Sequence, residues 1–168
     1  SSTSKQFVQH FERAASKYIK EFSLSGDSVI VDIGSNDGVA LKPMKERSIQ
    51  VVGVEPASNL AKSANSKGLY TINAYFNEVV ATQIHSEFGK VDLVTASNVF
   101  AHSDKLKEIT NNVFKILKED GVFIIEVQYL VDTISTLTFD NIYHEHVNFW
   151  SVTALNNFFN NLGFFINH

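Results

Sequence analysis

Short, β-branched apolar runs alternate with stretches of helical periodicity along this chain, and that alternation constrains the fold more than any other feature. The runs "SVIVDI" (28–33) and "IQVVGV" (49–54) are apolar nearly throughout and read as buried strands, and 70–73, 91–96 and 122–127 read as further strands. Between them, 38–47, 56–66, 77–88 and 105–117 read as helices, one ended by Gly68 and the last stopped at Gly121. Strand and helix taking turns in this way mean an α/β fold, a doubly wound, mostly parallel sheet with helices on both faces. Ahead of the first strand, Phe7, Phe11, Ala14, Ala15, Tyr18, Ile19 and Phe22 recur at three- and four-residue steps, predicting an amphipathic helix over 5–22 with Thr3 or Ser4 as its cap. Near the end, Ser151 is set to cap a helix that Gly163 closes, and "FFIN" (164–167) reads as one more strand.

At 168 residues the chain fits one domain. With 44% hydrophobic and 19% charged residues it has the composition of a globular protein able to bury a real core. A net charge of −4 leaves no electrostatic footprint for nucleic acid or an anionic membrane surface. The absence of cysteine excludes disulfides and thiolate zinc sites, and no apolar run approaches the roughly 18 to 20 residues of a membrane span. A cytoplasmic setting is the expectation.

In doubly wound sheets ligands bind outside the carboxyl ends of the strands, so the loop after the first strand is the place to look. It reads Asp32-Ile33-Gly34-Ser35-Asn36-Asp37-Gly38, with glycines that let backbone approach a ligand and an acid at each flank. Neither the dinucleotide pattern G-x-G-x-x-G nor the phosphate loop is present. The second strand ends in an acid, Glu55 of "VVGVEP", where a carboxylate can take both hydroxyls of a ribose. The pair points to an adenosine ligand without pyrophosphate.

"VDIGSNDG", "VVGVEP" and the strand–helix order resemble the class I S-adenosylmethionine-dependent methyltransferases, whose sheet is Rossmann-like. Their usual loop is acid-x-G-x-G-x-G; Asp32, Gly34 and Gly38 fit, and Asn36 stands at the middle glycine. The resemblance implies S-adenosylmethionine as methyl donor and S-adenosylhomocysteine as product. Asp32, Gly34, Ser35, Asn36 and Gly38 would hold the methionine part, and Glu55 the ribose. Phe76 and Asn77 fall where the superfamily contacts adenine, without its usual acid, and Ser97 and Asn98 fall beside the methionine. Asp92 opens its strand at the far end and reads as structural, whereas His10, His85 and His168 read as scattered and solvent-facing.

Two histidines and a glutamate stand between aromatics in "YHEHVNFW" (143–150), and the residues alone leave three readings open: a metal site, an acid/base site, or aromatic core. Were 143–146 extended, His144 and His146 would share one face and could share a metal, with no third ligand evident at suitable spacing. Together with "ASNVFAHSD" (96–104) and "EVQYL" (126–130), this segment resembles the sugar C-methyltransferases acting on nucleotide-linked 4-keto-deoxysugars. That resemblance implies a catalytic set: His146 as general base, Tyr143 and Glu145 orienting substrate or polarising the ketone, and His102 facing the transferred methyl group. Histidine suits the base, because a reference pKa of about 6.5 leaves it mostly neutral near pH 7.

An O- or N-methyltransferase of another small molecule and a non-catalytic nucleoside-binding module remain as alternatives. The resemblance also implies one methyltransferase core over 1–168: a helical region at 1–27, a donor-binding half at 28–130 and a substrate segment at 131–168. The family's flanking domains would be absent and the sheet cut before its last antiparallel strand. The expected partner is a sugar-nucleotide substrate, with neither nucleic acid nor membrane, and with self-association through an incomplete sheet edge.

Overall fold

A computed structural model describes residues 5–138, 140, 142, 144 and 146–167. Thr3, Ser4, Tyr143, Glu145 and His168 lie outside the described residues. Five strands, β1 (Val29–Ile33), β2 (Gln50–Val54), β3 (Thr71–Ile72), β4 (Val91–Ser97) and β5 (Leu117–Glu126), form one sheet in the order β3-β2-β1-β4-β5. Every pairing is parallel, with β1 in register against β2 from Val29↔Gln50 to Ile33↔Val54 and against β4 from Ile30↔Leu93 to Asp32↔Thr95. The chain winds outward from β1 to β3 on one side and continues through β4 and β5 on the other. The crevice between the carboxyl ends of β1 and β4 is therefore the switch point where such sheets bind ligands.

The seven described helices are α1 (Lys5–Glu21), α2 (Lys42–Lys45), α3 (Ser58–Ser66), α4 (Glu78–Phe88), α5 (Leu106–Ile116), α6 (Leu130–Ser135) and α7 (Val152–Asn160). Strand alternation sorts the core into two layers. Val29, Val31, Ile33, Val52 and Val94 pack on one face with Ile84 of α4, Val113 of α5 and Phe159 of α7. Ile30, Val51 and Leu93 face the other way, toward Ala15 of α1, Met44 of α2 and Ala64 of α3. Because β1 is buried along its whole length, it carries no polar alternation to betray either face.

Asp92 pins the amino-terminal edge, as its position at the start of β4 suggested. One carboxylate oxygen accepts from Val29 N at 2.8 Å and the other from Lys118 Nζ at 2.7 Å.

Four local expectations change. The helix foreseen over 38–47 contracts to α2, because Pro43 fits only its first turn and Ser48, at φ +63, reverses the chain toward β2. α5 runs straight into β5 at Leu117 without a loop, and the extra residues before Val122 are taken up where the register shifts between Val91↔Leu117 and Leu93↔Val122. α6 forms where no helix was foreseen. Residues 164–167 pair with no strand; instead Phe164 N closes α7 on Phe159 O at 3.1 Å and its ring packs on Phe114 and Phe159. Ser151 caps α7 as expected, its Oγ accepting from Ala154 N at 3.2 Å. Among the described residues no helix is long and apolar enough to cross a membrane.

Candidate functional site

The loop after β1 is built by its own backbone. Gly34 N and Ser35 N both donate to Val54 O, at 2.8 and 3.2 Å, and Gly38 N returns to Ser35 O at 2.9 Å. Gly34, at φ +71, is open to solvent, and a Cβ there would come within 2.8 Å of Val99 Cγ2. Gly38, at φ +82, faces Leu69 so closely that any side chain would displace it. The two glycines are needed for both reasons.

Asn36 takes φ +54, the left-handed region, and its Oδ1 accepts from Asp37 N at 2.9 Å. Asparagine is the side chain that tolerates this region best after glycine. The residue standing at the family's middle glycine thus holds a glycine-like backbone. Asn36→Gly is expected to shift thermal stability little, whereas the β-branched Asn36→Val lowers it by about 1–2 kcal/mol, read from thermal or denaturant unfolding.

Two acids flank this loop. Glu55 is 7% exposed; its Oε2 accepts from Asn36 N at 2.9 Å and its Oε1 from Ala57 N at 2.8 Å, so it ties the loops after β1 and β2 together. Asp32 is 3% exposed, with Oδ1 accepting from Thr95 Oγ1 at 2.7 Å. Burial pushes its pKa up to about 7; the Thr95 hydroxyl opposes this and the Glu55 charge adds to it. A buried carboxylate held in this way gains most from a cationic ligand.

The structure adds residues to this edge that the sequence did not single out. α1 lies over it, and Phe11, Ala15 and Tyr18 line a small cavity together with Leu41, Thr95 and Ser97. The Tyr18 hydroxyl has its pKa raised by burial and by the charges of Glu126, Asp32 and Glu21. His10 is exposed, as expected of a solvent-facing residue, yet its Nε2 lies 3.0 Å from Glu126 Oε2 at the end of β5. The signal for it was present: His10, Ala14 and Tyr18 follow one another at four-residue steps along the border of the apolar stripe.

At β3 and β4 the foreseen positions fall on the same edge. Phe76, 7% exposed, packs into the core, and Asn77 caps α4, accepting from Val80 N at 3.1 Å, so both side chains already have structural work. Ser97 ends β4, and Asn98, at φ +59, donates its N–H to Glu126 O at 2.8 Å.

Beyond Asn98 the chain enters the loop that carries His102, and the distant segment 146–150 is bonded directly to it. Ala101 O accepts from Val147 N at 2.8 Å and from Asn148 N at 3.2 Å, and Trp150 Nε1 donates to Phe100 O at 3.2 Å. The His102 and His146 rings consequently lie 4.8 Å apart, and His146 meets Phe149 edge to face at 6.1 Å. His144 is exposed in a turn. Tyr143 and Glu145, the other members of the expected catalytic set, lie outside the described residues. Among the described residues no group of three or more metal-ligating side chains gathers.

A methyltransferase-domain family model matches residues 7–168. The chain is 35% identical over 156 residues to the C-methyltransferase NovU of Streptomyces niveus, a match covering 93% of this chain and 37% of that protein. It therefore spans well under half of that relative's length. In three dimensions it is similar to an S-adenosylmethionine-dependent methyltransferase from Archaeoglobus fulgidus, with a TM-score of 0.74, 21% identity, and 94% of this chain and 69% of that one covered. It is also similar to magnesium protoporphyrin IX methyltransferase from Synechocystis, a structure with bound S-adenosylhomocysteine; the TM-score is 0.70, the identity 14%, and the coverage 96% and 74%. With its parallel sheet wound about β1 and its acid–glycine loop at the switch point, the chain belongs to the methyltransferase-domain family, whose cofactor is S-adenosylmethionine.

Proposed function

We propose that this chain is the core of a C-methyltransferase that transfers a methyl group to a carbon next to the ketone of a nucleotide-linked 4-keto-deoxysugar, working in the cytoplasm. The observation that carries the reading is the contact between His102 and His146 at the carboxyl edge. The printed activity of NovU, a C-methyltransferase, supports it.

The residues around the switch point fit the donor. Asp32, buried and reluctant to stay charged, favours a positively charged methionine half. Gly34 leaves open backbone where a Cβ would crowd Val99, and Ser35 Oγ is buried without a hydrogen-bond partner among the described residues. Gly38 and Asn36 shape the loop, Ser97 and Asn98 border it, and Glu55, whose oxygens already accept from Asn36 N and Ala57 N, would take the ribose hydroxyls. Phe76 and Asn77, whose side chains are engaged, would offer adenine a lip rather than a side-chain clamp. Bound there, S-adenosylmethionine supplies an electrophilic methyl group.

The chain's own part is to make the acceptor carbon nucleophilic. His146 removes the α-proton, and the electrons left behind pass to the ketone oxygen. His102, beside it, faces the reacting carbon, and we assign Tyr143 and Glu145 to orienting the sugar and polarising its ketone. Phe149, edge to face with His146, supplies an apolar neighbour that limits water beside it. Holding donor and acceptor in line provides the rest of the acceleration.

Incubation with S-adenosylmethionine and a nucleotide-linked 4-keto-deoxysugar should give a product heavier by one methylene whose new methyl resonance couples to a carbon, not an oxygen or nitrogen. A methyl on oxygen or nitrogen would refute C-transfer.

A further inference from the structure

Asn148 holds the backbone of His102 from both sides. Its N–H donates to Ala101 O at 3.2 Å, on the near side of that histidine, and its side-chain Nδ2 donates to Ser103 O at 2.7 Å, on the far side. His102 N turns inward to Val99 O at 3.0 Å, which completes a loop whose carbonyls at 99, 100, 101 and 103 all accept a hydrogen bond. Three of those four are bound by the segment 147–150, and only Ser103 O is bound by a side-chain amide.

We propose that Asn148 is the positioning residue that sets the distance between His102 and His146. The inference rests on the reading of these histidines as the reacting pair, but the geometry it predicts exists without any substrate. Trp150 anchors the same segment through Phe100 O, yet its indole also packs on Phe100 and Phe158, so its main work is in the core. Asn148 has no ring contact and is half-buried. Its amide is thus free to act as a spacer between two loops that come from distant parts of the chain. A wrong spacing of about 1 Å between reacting groups can lower a rate by roughly 10²-fold.

The test compares Asn148→Ala and the isosteric Asn148→Asp, which puts an acceptor where Ser103 O needs a donor. Asn65→Ala serves as control, because Asn65 Nδ2 likewise donates to backbone carbonyls, Ala61 O and Thr71 O, far from the histidines. The first readout is the nuclear Overhauser effect between the His102 and His146 ring protons, assigned with single His→Asn variants. The second is deuterium exchange at the α-carbon of a keto-sugar nucleotide in heavy water.

Both Asn148 variants should lose most of the ring-to-ring effect and slow exchange by about tenfold or more, with donor affinity kept. Asn65→Ala should lower thermal stability and leave both readouts in place. An undiminished ring-to-ring effect in Asn148→Asp would overturn the proposal. Loss of that effect with no exchange even by the unaltered chain would uphold the positioning role and remove the base role from His146 instead.

Discussion

Asp32→Asn should make the ligand-free chain more stable above neutral pH and, in the same stroke, weaken S-adenosylmethionine binding. The folded pKa is raised from 3.8 to about 7, so between those values the native state holds a proton that the unfolded state has released. Stability therefore falls as pH rises through that window and levels off above about 7. The full effect is on the order of 4 kcal/mol, from 1.36 kcal/mol per unit. Asparagine keeps an oxygen for the Thr95 hydroxyl and carries no charge, so the variant loses this slope. Denaturant unfolding at pH 5 and pH 8 checks it: the wild type should be markedly weaker at the higher pH and the variant should not.

Donor binding should move the opposite way. The ionised carboxylate favours the cationic methionine half, so wild-type affinity should drop as pH falls below about 7. Asp32→Asn should bind more weakly at pH 8 by about 1.5–3 kcal/mol, the usual worth of a hydrogen bond to a charged group. Calorimetric titration at pH 6 and pH 8 measures both. Unchanged affinity in the variant would mean that the donor's charge is met elsewhere.

His146→Asn should leave donor affinity intact and reduce α-carbon deuterium exchange, and methyl transfer with it, by roughly 10²- to 10⁴-fold, the range for removal of a general base. Exchange isolates the proton-abstraction step because it needs no methyl donor. A histidine that only fills space between Phe149 and His102 would lose stability on substitution without this separation of exchange from binding. Exchange retained within a few-fold would pass the base role to another group, with His102→Asn the next variant to measure.

The central strands were legible because β1, β2 and β4 are buried on both faces and their sequences are apolar almost without interruption. The tight loop after β1 was legible for a related reason: Gly34 and Gly38 are types that a close-approach loop requires, and backbone bonds together with Glu55 hold that loop to the end of β2. Less of the meeting of His102 and His146 could be read. The sequence separates His102 from His146 by two helices and a strand, and the bonds from Val147, Asn148 and Trp150 to the carbonyls of residues 100, 101 and 103 join their segments. His10 escaped because a histidine bordering an apolar stripe looks solvated until its partner, Glu126, is placed. Residues 164–167 form no strand for want of context: aromatic and β-branched residues favour a strand only where a neighbouring strand is present to receive them.

The bonds of Asp92 give the sheet a spine. By joining the beginnings of β1, β4 and β5 through Val29 N and Lys118 Nζ, this one carboxylate fastens the three strands at the end opposite the glycine loop after β1. Asp92 thus adds side-chain bonds at the start of a ladder whose main-chain pairing continues to Ser97↔Glu126 at its other end. The Val29 amide should then exchange with solvent more slowly than that of Asn98. Asp92→Ala should speed exchange at the Val29 amide, which loses its acceptor.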